Sequence, residues 1–429
     1  MRLTVIGTGY LGAVHAACMA EIGHDVLGVD VDEAKIAALA EGRAPFFEPG
    51  FPEVLKRNLE NGRLRFGTSL AEAGAFGDVH FVCVGTPQRP GSHAADLRYV
   101  DAVVGGLAPH LRPGALVVGK STVPVGTAAR LADSVPALAW NPEFLREGFA
   151  VEDTLRPDRL VVGVTSAADE DVLRAVYAPI LAAGTPWVST DPATAELVKV
   201  AANSFLATKI SFINAMAEIC EAAGADVTTL AGAIGYDARI GDRFLRAGVG
   251  FGGGCLPKDI RAFRHRAAEL GLADSVRFLH EVDEINGRRR TRAVDLAREL
   301  VGGSFAGTSV TVLGATFKPD SDDIRDSPAL AVANAIRAEG AQVTVHDPQG
   351  IDNARAVYPD LDYSPKAQKA CEGAHVVVLA TEWAEYRELD PAAVREVVAA
   401  PALVDARNAL DLPAWQEAGW DVRALGRSL

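Results

Sequence analysis

A glycine-rich segment around one cysteine contains the residues best suited to covalent chemistry. It reads Gly250-Phe251-Gly252-Gly253-Gly254-Cys255-Leu256-Pro257-Lys258-Asp259. Such a cluster of glycines costs backbone entropy that a purely structural loop rarely carries, and it would let a ligand approach backbone N–H donors. Pro257 suits the first turn of a helix, so Cys255 should precede that helix, where the helix dipole and Lys258 would lower the thiol pKa. We therefore predict that Cys255 is a reactive thiolate with Asp259 within its reach.

A polar pair interrupts an apolar helical stripe earlier in the chain. From Pro192 to Ala222 the pattern predicts one long helix, whose stripe runs Lys199, Asn203, Leu206, Ile210, Ile213. A lysine on such a face could simply extend its ammonium to solvent. Its pairing with Asn203 one turn later instead favours a polar step in a packed face, suited to moving protons or to holding a water or an oxyanion.

A second glycine pattern predicts a dinucleotide site. Val5-Ile6-Gly7-Thr8-Gly9-Tyr10-Leu11-Gly12 follows a predicted strand and opens a predicted helix. Gly7 permits the tight turn, Gly9 lets the pyrophosphate approach the backbone, and Gly12 lets the helix pack on its strand. Asp30, 18 residues after Gly12 (30 − 12), would accept hydrogen bonds from the adenosine ribose and repel the extra phosphate of NADP. The pattern predicts NAD as the cofactor; the alternative is a glycine-rich turn without a ligand.

Three sets of elements must position these residues. The first half alternates β-branched runs with helical patterns, as parallel α/β sheets do, with strands at 3–6, 25–29, 79–84, 115–119, 137–140 and 160–164 and helices at 11–22 and 96–110. The long helix and a further helix at 274–300 follow. From Ser309 the alternation of strands and helices resumes, with strands at 309–313, 342–346, 375–380 and 402–404 and a helix at 328–339. The predicted fold is α/β: two Rossmann-like doubly wound domains, 1–190 and 304–429, joined by a central helical domain, 191–303.

Composition narrows the class of protein. With 429 residues, several domains are expected, and 49% hydrophobic residues suffice for large cores. A net charge of −14 argues against nucleic-acid binding, and an anionic substrate would need a local cluster of cations. No apolar run predicts a membrane span, and the glycines of the N-terminal stretch argue against a signal peptide. The four cysteines besides Cys255, at positions 18, 83, 220 and 371, are scattered and suit buried thiols of a reducing, cytoplasmic location, with no zinc spacing.

The motifs, taken in order, resemble the UDP-glucose/GDP-mannose dehydrogenase family from end to end. Beside the glycine fingerprint and the cysteine loop they are Val84-Gly85-Thr86-Pro87, Ser121-Thr122-Val123-Pro124-Val125-Gly126, Asn141-Pro142-Glu143-Phe144-Leu145-Arg146-Glu147-Gly148, Lys199 with Asn203, Arg239-Ile240-Gly241, Phe317-Lys318-Pro319 and Asp322-Asp323-Ile324-Arg325. None of these motifs predicts the next by composition, so together they are specific.

The resemblance implies a four-electron oxidation of a sugar C6 alcohol to a carboxylate with NAD. Cys255 would add to the intermediate aldehyde as a thiohemiacetal, whose oxidation gives a thioester that water hydrolyses. Lys199, Asn203 and Asp259 would handle protons, water and the oxyanion, and Thr122 would position the water. Glu143 would act as a base in hydrolysis if burial raises its pKa; otherwise Glu143 and Glu147 are ordinary surface acids.

The resemblance also assigns binding roles. The cofactor would contact the residues Gly7, Gly9, Tyr10, Leu11, Gly12, Asp30, Lys35, Thr86, Thr122, Glu147, Lys258 and Arg325. The nucleotide sugar would contact Phe144, Leu145, Lys199, Asn203, Phe244, Arg246, Gly252, Phe317, Lys318 and Arg407. Arg239 would reach the substrate of a neighbouring subunit across a homodimer built on the long helix. The cations among them would meet the pyrophosphate.

Three alternatives remain open from the residues. Leucine after the cysteine, as at Leu256, also occurs in the GDP-mannose branch of the family, and Thr316 stands where a larger or apolar residue is common. In contrast, Arg239-Ile240-Gly241 and Phe244 favour UDP-glucose. The sugar could therefore be UDP-glucose, GDP-mannose, a UDP-N-acetylhexosamine or a dTDP-sugar. A two-electron hydroxyacid dehydrogenase would leave Cys255 and the third domain unexplained. A nucleotide-sugar-binding regulator without catalysis would not need Cys255, Lys199, Asn203 and Asp259 together.

Overall fold

Parallel strands and the helices between them account for most of the chain in a computed structural model, which describes residues 1–428. The strands are β1 Arg2–Ile6, β2 Asp25–Val29, β3 Leu64–Gly67, β4 Val79–Val82, β5 Leu116–Gly119, β6 Leu138–Trp140, β7 Leu160–Gly163, β8 Trp187–Thr190, β9 Ser309–Leu313, β10 Gln342–His346, β11 Asp362–Tyr363, β12 Val376–Leu379, β13 Ala402–Asp405 and β14 Asp421–Ala424.

The α-helices are α1 Tyr10–Glu21, α2 Glu33–Ala40, α3 Phe51–Glu60, α4 Leu70–Phe76, α5 Arg98–Leu107, α6 Thr127–Leu131, α7 Ala150–Leu155, α8 Ala167–Val176, α9 Ala178–Ala182, α10 Pro192–Ala223, α11 Val227–Gly235, α12 Leu256–Glu269, α13 Phe278–Leu300, α14 Pro328–Ala338, α15 Ile351–Val357, α16 Ala367–Ala370, α17 Ala384–Arg387, α18 Pro391–Arg395 and α19 Leu412–Glu417. Short 3-10 helices occupy Ala108–His110, Ala132–Ser134 and Ala273–Val276. Within residues 1–428, no helix has both the length and the apolar character that a bilayer span requires.

Contacts along the chain define two compact units. The first comprises Met1–Ala202 with Arg261–Gly271, and the second comprises Asn203–Ile260 with Leu272–Leu429. Helices α10 and α12 each contribute residues to both units. The predicted boundaries at 190/191 and 303/304 stay a prediction, and residue 429, the last of the predicted third domain, lies outside the described residues.

The first unit contains an eight-stranded sheet in the order β3-β2-β1-β4-β5-β6-β7-β8. Side chains alternate between two apolar layers: Leu3 and Val5 of β1 join one buried cluster, and Ile6 joins the other. Helices cover both faces, as the doubly wound prediction requires. The expectation of purely parallel pairing is wrong at one place, because β6 and β7 pair antiparallel through Trp140 and Gly163. Antiparallel neighbours need no full crossover, and only the short helix α7 connects these two strands.

The second unit contains a six-stranded parallel sheet in the order β11-β10-β9-β12-β13-β14. Val376 and Val378 of β12 enter the cluster that packs against α13 and α14, whereas Val377 and Leu379 enter the cluster on the opposite face. The strand order reverses between β9 and β12, as it does between β1 and β4 in the first sheet. The two Rossmann-like sheets and the long helix α10 confirm the predicted fold class.

Candidate active site

The glycine fingerprint lies in the turn from β1 to α1, as predicted. Gly7 adopts a φ of +92°. A Cβ on Gly12 would lie 1.8 Å from the Gly7 carbonyl oxygen, so only glycine permits this close packing. A Cβ on Gly9 would meet nothing within 4 Å, which leaves the space that a pyrophosphate would need at the helix N-terminus. The local geometry therefore fits a dinucleotide.

Asp30 follows β2 and lies beside this turn. One carboxylate oxygen accepts a hydrogen bond of 2.8 Å from the Thr8 N–H and lies 3.2 Å from the Lys35 ammonium. Burial opposes ionisation, but the Asp32 and Thr8 N–H groups and the Lys35 ammonium outweigh it, and the pKa of Asp30 is lowered. Asp30 is therefore an ionised acceptor at the end of the second strand, where the ribose was predicted to bind.

A buried glutamate that sequence analysis missed ties the fingerprint to a second loop. Glu48 accepts a hydrogen bond from the Tyr10 hydroxyl and bonds of 2.6 and 2.7 Å from the Gly148 and Ala150 N–H groups. Glu48 therefore fixes Tyr10 and the residues that follow Glu147. Leu11 and Glu147 are both half-buried beside these residues.

Two of the predicted threonines are in direct contact. The Thr86 hydroxyl donates a 2.7 Å hydrogen bond to the Thr122 carbonyl oxygen. The segment that follows Thr122 is held by Glu196 of α10, which accepts hydrogen bonds of 2.7 and 2.6 Å from the Gly126 and Ala128 N–H groups. Nothing in the sequence pattern singled out Glu196, because a glutamate near the start of a helix is usually solvated.

Glu143 forms an ion pair with a buried lysine. Its Oε2 lies 2.9 Å from the Lys120 ammonium, and its Oε1 accepts hydrogen bonds of 2.8 and 3.1 Å from the Phe144 and Leu145 N–H groups. Burial alone would raise the pKa of Glu143, but Lys120 outweighs burial and the pKa is lowered. The expected condition for base catalysis, a raised pKa, is thus wrong. Sequence analysis also missed Lys120.

Lys199 and Asn203 share one face of α10, one turn apart, as predicted. The Lys199 ammonium lies 5.5 Å from the centre of the Phe144 ring, a distance at which a cation is attracted to an aromatic face. Lys199 is half-buried and Asn203 is buried. Two polar side chains therefore interrupt the apolar face of α10, as predicted.

Cys255 immediately precedes α12, and its carbonyl oxygen accepts the first helical hydrogen bond, 3.0 Å from the Asp259 nitrogen. Cys255 is exposed, whereas the other four cysteines are buried. The place of Cys255 before the helix agrees with the prediction from Pro257. A thiol at this position faces the positive end of the helix dipole, which favours thiolate.

Asn203 and Asp259, predicted to cooperate, are hydrogen-bonded. The Asn203 amide donates to Asp259 Oδ2 over 2.6 Å, and both side chains are buried. The Lys258 ammonium lies 2.5 Å from Asp259 Oδ1. Residues 56 positions apart (259 − 203) therefore form one polar cluster at the start of α12, next to Cys255.

The glycines of the cysteine loop make room for other parts of the second unit. A Cβ on Gly253 would lie 2.8 Å from the Phe317 ring, one on Gly254 would lie 2.3 Å from Arg325 Cζ, and one on Gly252 would lie 2.3 Å from the Asp326 carbonyl oxygen. Phe317 and Arg325 are thereby brought to the loop, as their predicted roles require. Contact of these glycines with a ligand stays a prediction.

Arg407 connects three backbone segments. Its guanidinium donates hydrogen bonds to the carbonyl oxygens of Ala380, Gly250 and Phe317 over 2.8, 3.0 and 3.0 Å. It therefore positions the start of the cysteine loop against the Phe317 segment. The Lys318 ammonium lies 5.5 Å from the Phe317 ring centre.

The remaining predicted substrate residues are exposed. Arg239 forms a bidentate ion pair with Asp237, and its side chain is 89% exposed. Phe244 has a φ of +64°, a strained conformation for a non-glycine residue, and its ring is exposed. Arg246 is also exposed. The roles of these three residues in substrate binding stay predictions.

The predicted site residues thus fall into two groups. The first unit contains the fingerprint, Asp30, Lys35, Thr86, Thr122, Glu143, Phe144, Leu145, Glu147 and Lys199; the second contains Asn203, Arg239, Phe244, Arg246, Gly252, Cys255, Lys258, Asp259, Phe317, Lys318, Arg325 and Arg407.

Comparison with known proteins gives matches along the whole chain. Residues 1–181, 193–288 and 311–412 match the NAD binding, central and UDP binding domains of the UDP-glucose/GDP-mannose dehydrogenase family. A UDP-glucose 6-dehydrogenase of Rhizobium meliloti is 42% identical over 437 aligned residues that cover 100% of both chains. The structure of a UDP-glucose dehydrogenase from Pyrobaculum islandicum matches with a TM-score of 0.91 at 38% identity, over 100% of this chain and 98% of the other. A UDP-D-ManNAc dehydrogenase from Pyrococcus horikoshii matches with a TM-score of 0.86 at 26% identity, over 100% and 99%.

Proposed function

The chain belongs to the UDP-glucose/GDP-mannose dehydrogenase family, and we propose on this basis that it oxidises the C6 alcohol of UDP-glucose to the carboxylate of UDP-glucuronate. It is an oxidoreductase that uses NAD. The observation that carries the proposal is the exposed Cys255 at the start of α12, next to the buried Asn203–Asp259 pair. A two-electron dehydrogenase would have no use for this cluster.

The cysteine explains how an alcohol can reach the acid level. Loss of a hydride from C6 and of a proton from its hydroxyl gives an aldehyde. The Cys255 thiolate bonds to the aldehyde carbon, and the oxyanion takes up a proton to give a thiohemiacetal. Loss of a second hydride and of that hydroxyl proton converts the thiohemiacetal to a thioester. Water adds to the thioester carbon, the carbon–sulfur bond breaks, and the acid leaves with the thiolate restored. NAD, held by the Gly7–Gly12 fingerprint and Asp30, would supply the hydride acceptor for each oxidation.

The other predicted catalytic residues have matching roles. Asp259 and Asn203 offer a carboxylate and an amide to protons, water or an oxyanion beside Cys255, and Lys199 supplies a cation. Thr122 would position the water, and the ionised Glu143 would accept its proton. Because the pKa of Glu143 is lowered, this base is present as carboxylate at neutral pH and needs no prior deprotonation.

UDP-glucose is preferred over other nucleotide sugars on the strength of the comparisons. Proteins named for UDP-glucose are 38% to 42% identical to the chain over its whole length, and the UDP-D-ManNAc dehydrogenase is 26% identical. Arg239-Ile240-Gly241 and Phe244 agree with this order. GDP-mannose and other nucleotide sugars remain the alternative substrates.

We also propose a homodimer formed through α10. Phe205, Phe212 and Ile219 are 66%, 49% and 58% exposed, and they recur every seven residues on this helix. Large apolar side chains repeated along one exposed helix face are typical of a protein interface. Arg239 would then reach the substrate of the partner subunit.

A cytoplasmic location belongs to the same proposal. Across residues 1–428, no disulfide joins any of the five cysteines, and free thiols of this kind are typical of a reducing compartment.

The decisive experiment measures NADH formed at limiting substrate for a panel of nucleotide sugars. Two NADH per UDP-glucose, with little from GDP-mannose or a UDP-N-acetylhexosamine, would establish both the chemistry and the substrate. Two NADH from another sugar would keep the chemistry and change the substrate. One NADH per substrate would support the two-electron alternative, and none at all would support a binding protein.

A further inference from the structure

A lysine that the mechanism above does not use is buried in contact with Glu143. Lys120 follows β5, and its side chain is 3% exposed. Its ammonium lies 2.9 Å from Glu143 Oε2 and 3.1 Å from Asn141 Oδ1, and the Tyr177 hydroxyl donates to the same Asn141 oxygen over 2.6 Å. A lysine is almost never this deeply buried without a partner, since burying a charge is costly. The partner here is a residue of the proposed reaction.

The ion pair also fixes the backbone that follows. Glu143 is 12% exposed, and the oxygen that does not meet Lys120 accepts the Phe144 and Leu145 N–H groups. Asn141 is anchored separately, because its amide donates a 2.8 Å hydrogen bond to the Val161 carbonyl oxygen of β7. Lys120 therefore contacts both Asn141 and Glu143, and Glu143 in turn binds the Phe144 and Leu145 N–H groups. All of these contacts lie within the first unit.

We propose that Lys120 is a positioning residue that keeps Glu143 ionised and orients it for its proton transfer with water. This inference rests on the proposed function only for the role of Glu143; the ion pair itself does not depend on the substrate. Lys120 touches neither substrate nor cofactor in this proposal. It acts through Glu143.

Several other charged or titratable groups lie near the Lys120–Glu143 pair. Those facing the pair are Cys18 of α1, Cys83 after β4, Tyr177 after α8, Lys199 of α10 and, beside Lys120, His15 of α1. Burial raises the pKa of Cys83 and of Tyr177 to about 12, raises that of Cys18 further, and keeps His15 neutral by lowering its pKa. Lys199 is the second cation near Glu143. Removal of Lys120 should therefore change the titration of Glu143 above all.

The test compares Lys120→Met with the wild type, with Lys56→Met as the matched control because Lys56 is an exposed lysine of the same unit. Without the ammonium, burial raises the pKa of Glu143, so Lys120→Met should lose at least about tenfold in kcat near pH 6 and regain much of it near pH 9. Lys120→Met/Glu143→Gln should show no regain. A pH profile of Lys120→Met with the shape of the wild-type profile would overturn the proposal.

Unfolding provides a readout that needs no activity. In the wild type the lowered pKa of Glu143 makes its contribution to stability full at neutral pH and lost on acidification. In Lys120→Met the raised pKa reverses the sign, so stability is greatest below the unfolded pKa and falls as the pH rises. The Tm of Lys120→Met should therefore fall by about 3 °C or more relative to wild type between about pH 5 and pH 8.

The double variant keeps the test decisive if Lys120→Met folds poorly. Lys120→Met/Glu143→Gln removes both charges, so it should be more stable than Lys120→Met at pH 8 and lack the pH-dependent loss. A double variant no more stable than Lys120→Met would overturn the ion pair. If wild-type protein forms no NADH from any nucleotide sugar, the proposed function fails, whereas the unfolding comparison still decides whether Lys120 keeps Glu143 ionised.

Discussion

Asn203 and Asp259 lie on two helices, and a 2.6 Å hydrogen bond joins them in a buried position. Their pairing makes Asn203→Asp informative, because two carboxylates would then face each other. One of them must take up a proton on folding, so this variant should be stable in acid and lose stability as the pH rises above about 4. By pH 8 we expect a loss of about 2–4 kcal/mol in the free energy of unfolding.

Chemical denaturation at several pH values measures this loss. Asn203→Ala is the control, because it removes the same hydrogen bond without adding a second carboxylate, and its stability should depend less on pH than that of Asn203→Asp. If the Asn203→Asp protein follows the pH dependence of the alanine variant, the two side chains are not in contact in solution.

Cys255 is the residue on which the covalent mechanism depends. Cys255→Ser should lower acid formation by at least about a thousandfold, because a serine hydroxyl is a much weaker nucleophile than a thiolate, while UDP-glucose binding changes by less than about threefold. NADH formation and calorimetric titration measure the two effects. Cys371→Ala, in a buried cluster of the second sheet, should keep full turnover. Turnover of Cys255→Ser within about tenfold of the wild type would refute the thioester route.

Single residues also mark the limit of what the sequence could predict. Cys255, Asp259 and Asn203 stood out because glycine, proline and helical spacing surrounded them with a pattern. Lys120, Glu48 and Glu196 did not, because each is defined by burial against residues far away in the sequence, and a charged residue type predicts exposure. The wrong expectation of a raised pKa for Glu143 has the same cause. Because Lys120 was not recognised, burial was the only known influence on that pKa.

At the scale of elements, the glycine loop depends on close packing. A Cβ on Gly252 would lie 2.3 Å from the Asp326 carbonyl oxygen and 2.6 Å from Pro328 Cδ, neither of which is a flexible side-chain end. Gly252→Ala should therefore cost about 1–3 kcal/mol in the free energy of unfolding and lower kcat, because the displaced loop carries Cys255.

Gly287 offers a matched comparison for that variant. It lies inside α13, is exposed, and a Cβ there would meet nothing within 4 Å. Gly287→Ala should stabilise the protein by about 0.5–1 kcal/mol, since alanine loses less backbone entropy in a helix. Urea unfolding of both variants measures the contrast. Equal effects of the two substitutions would show that the loop tolerates a side chain.

The strands that sequence analysis missed share one property. The strands β3, β8, β11 and β14 lie at the edges of the two sheets, and every predicted strand is an inner one. Inner strands are buried on both faces and read as continuous apolar runs, whereas an edge strand is partly solvated and short. The run at Asp421–Ala424, for example, alternates exposed and buried residues over only four positions. The local hydrophobic pattern therefore predicts the inner strands of a sheet but not its edge strands.

For the whole molecule, the prediction concerns assembly. One side of α10 is buried through Ala207, Ile213, Ala217 and Cys220, yet Phe205, Phe212 and Ile219 remain exposed. Replacing Phe205 and Phe212 together by Glu places two charges in the proposed interface and should convert a dimer to a monomer at micromolar concentration, as light scattering measures. Val357→Glu, at an apolar residue of α15 that is 60% exposed, should leave the mass unchanged.

Assembly and catalysis should then be linked through Arg239. If this guanidinium reaches the substrate of the partner subunit, the monomeric Phe205→Glu/Phe212→Glu protein should show a raised KM for UDP-glucose, and Arg239→Ala in the dimer should raise KM by a similar factor. Combining the three substitutions should add little, because the monomer has already lost the contact. Additive effects would mean that Arg239 acts within its own subunit. A wild-type protein that is monomeric in solution would remove the premise, and the exposed apolar stripe would then require another partner.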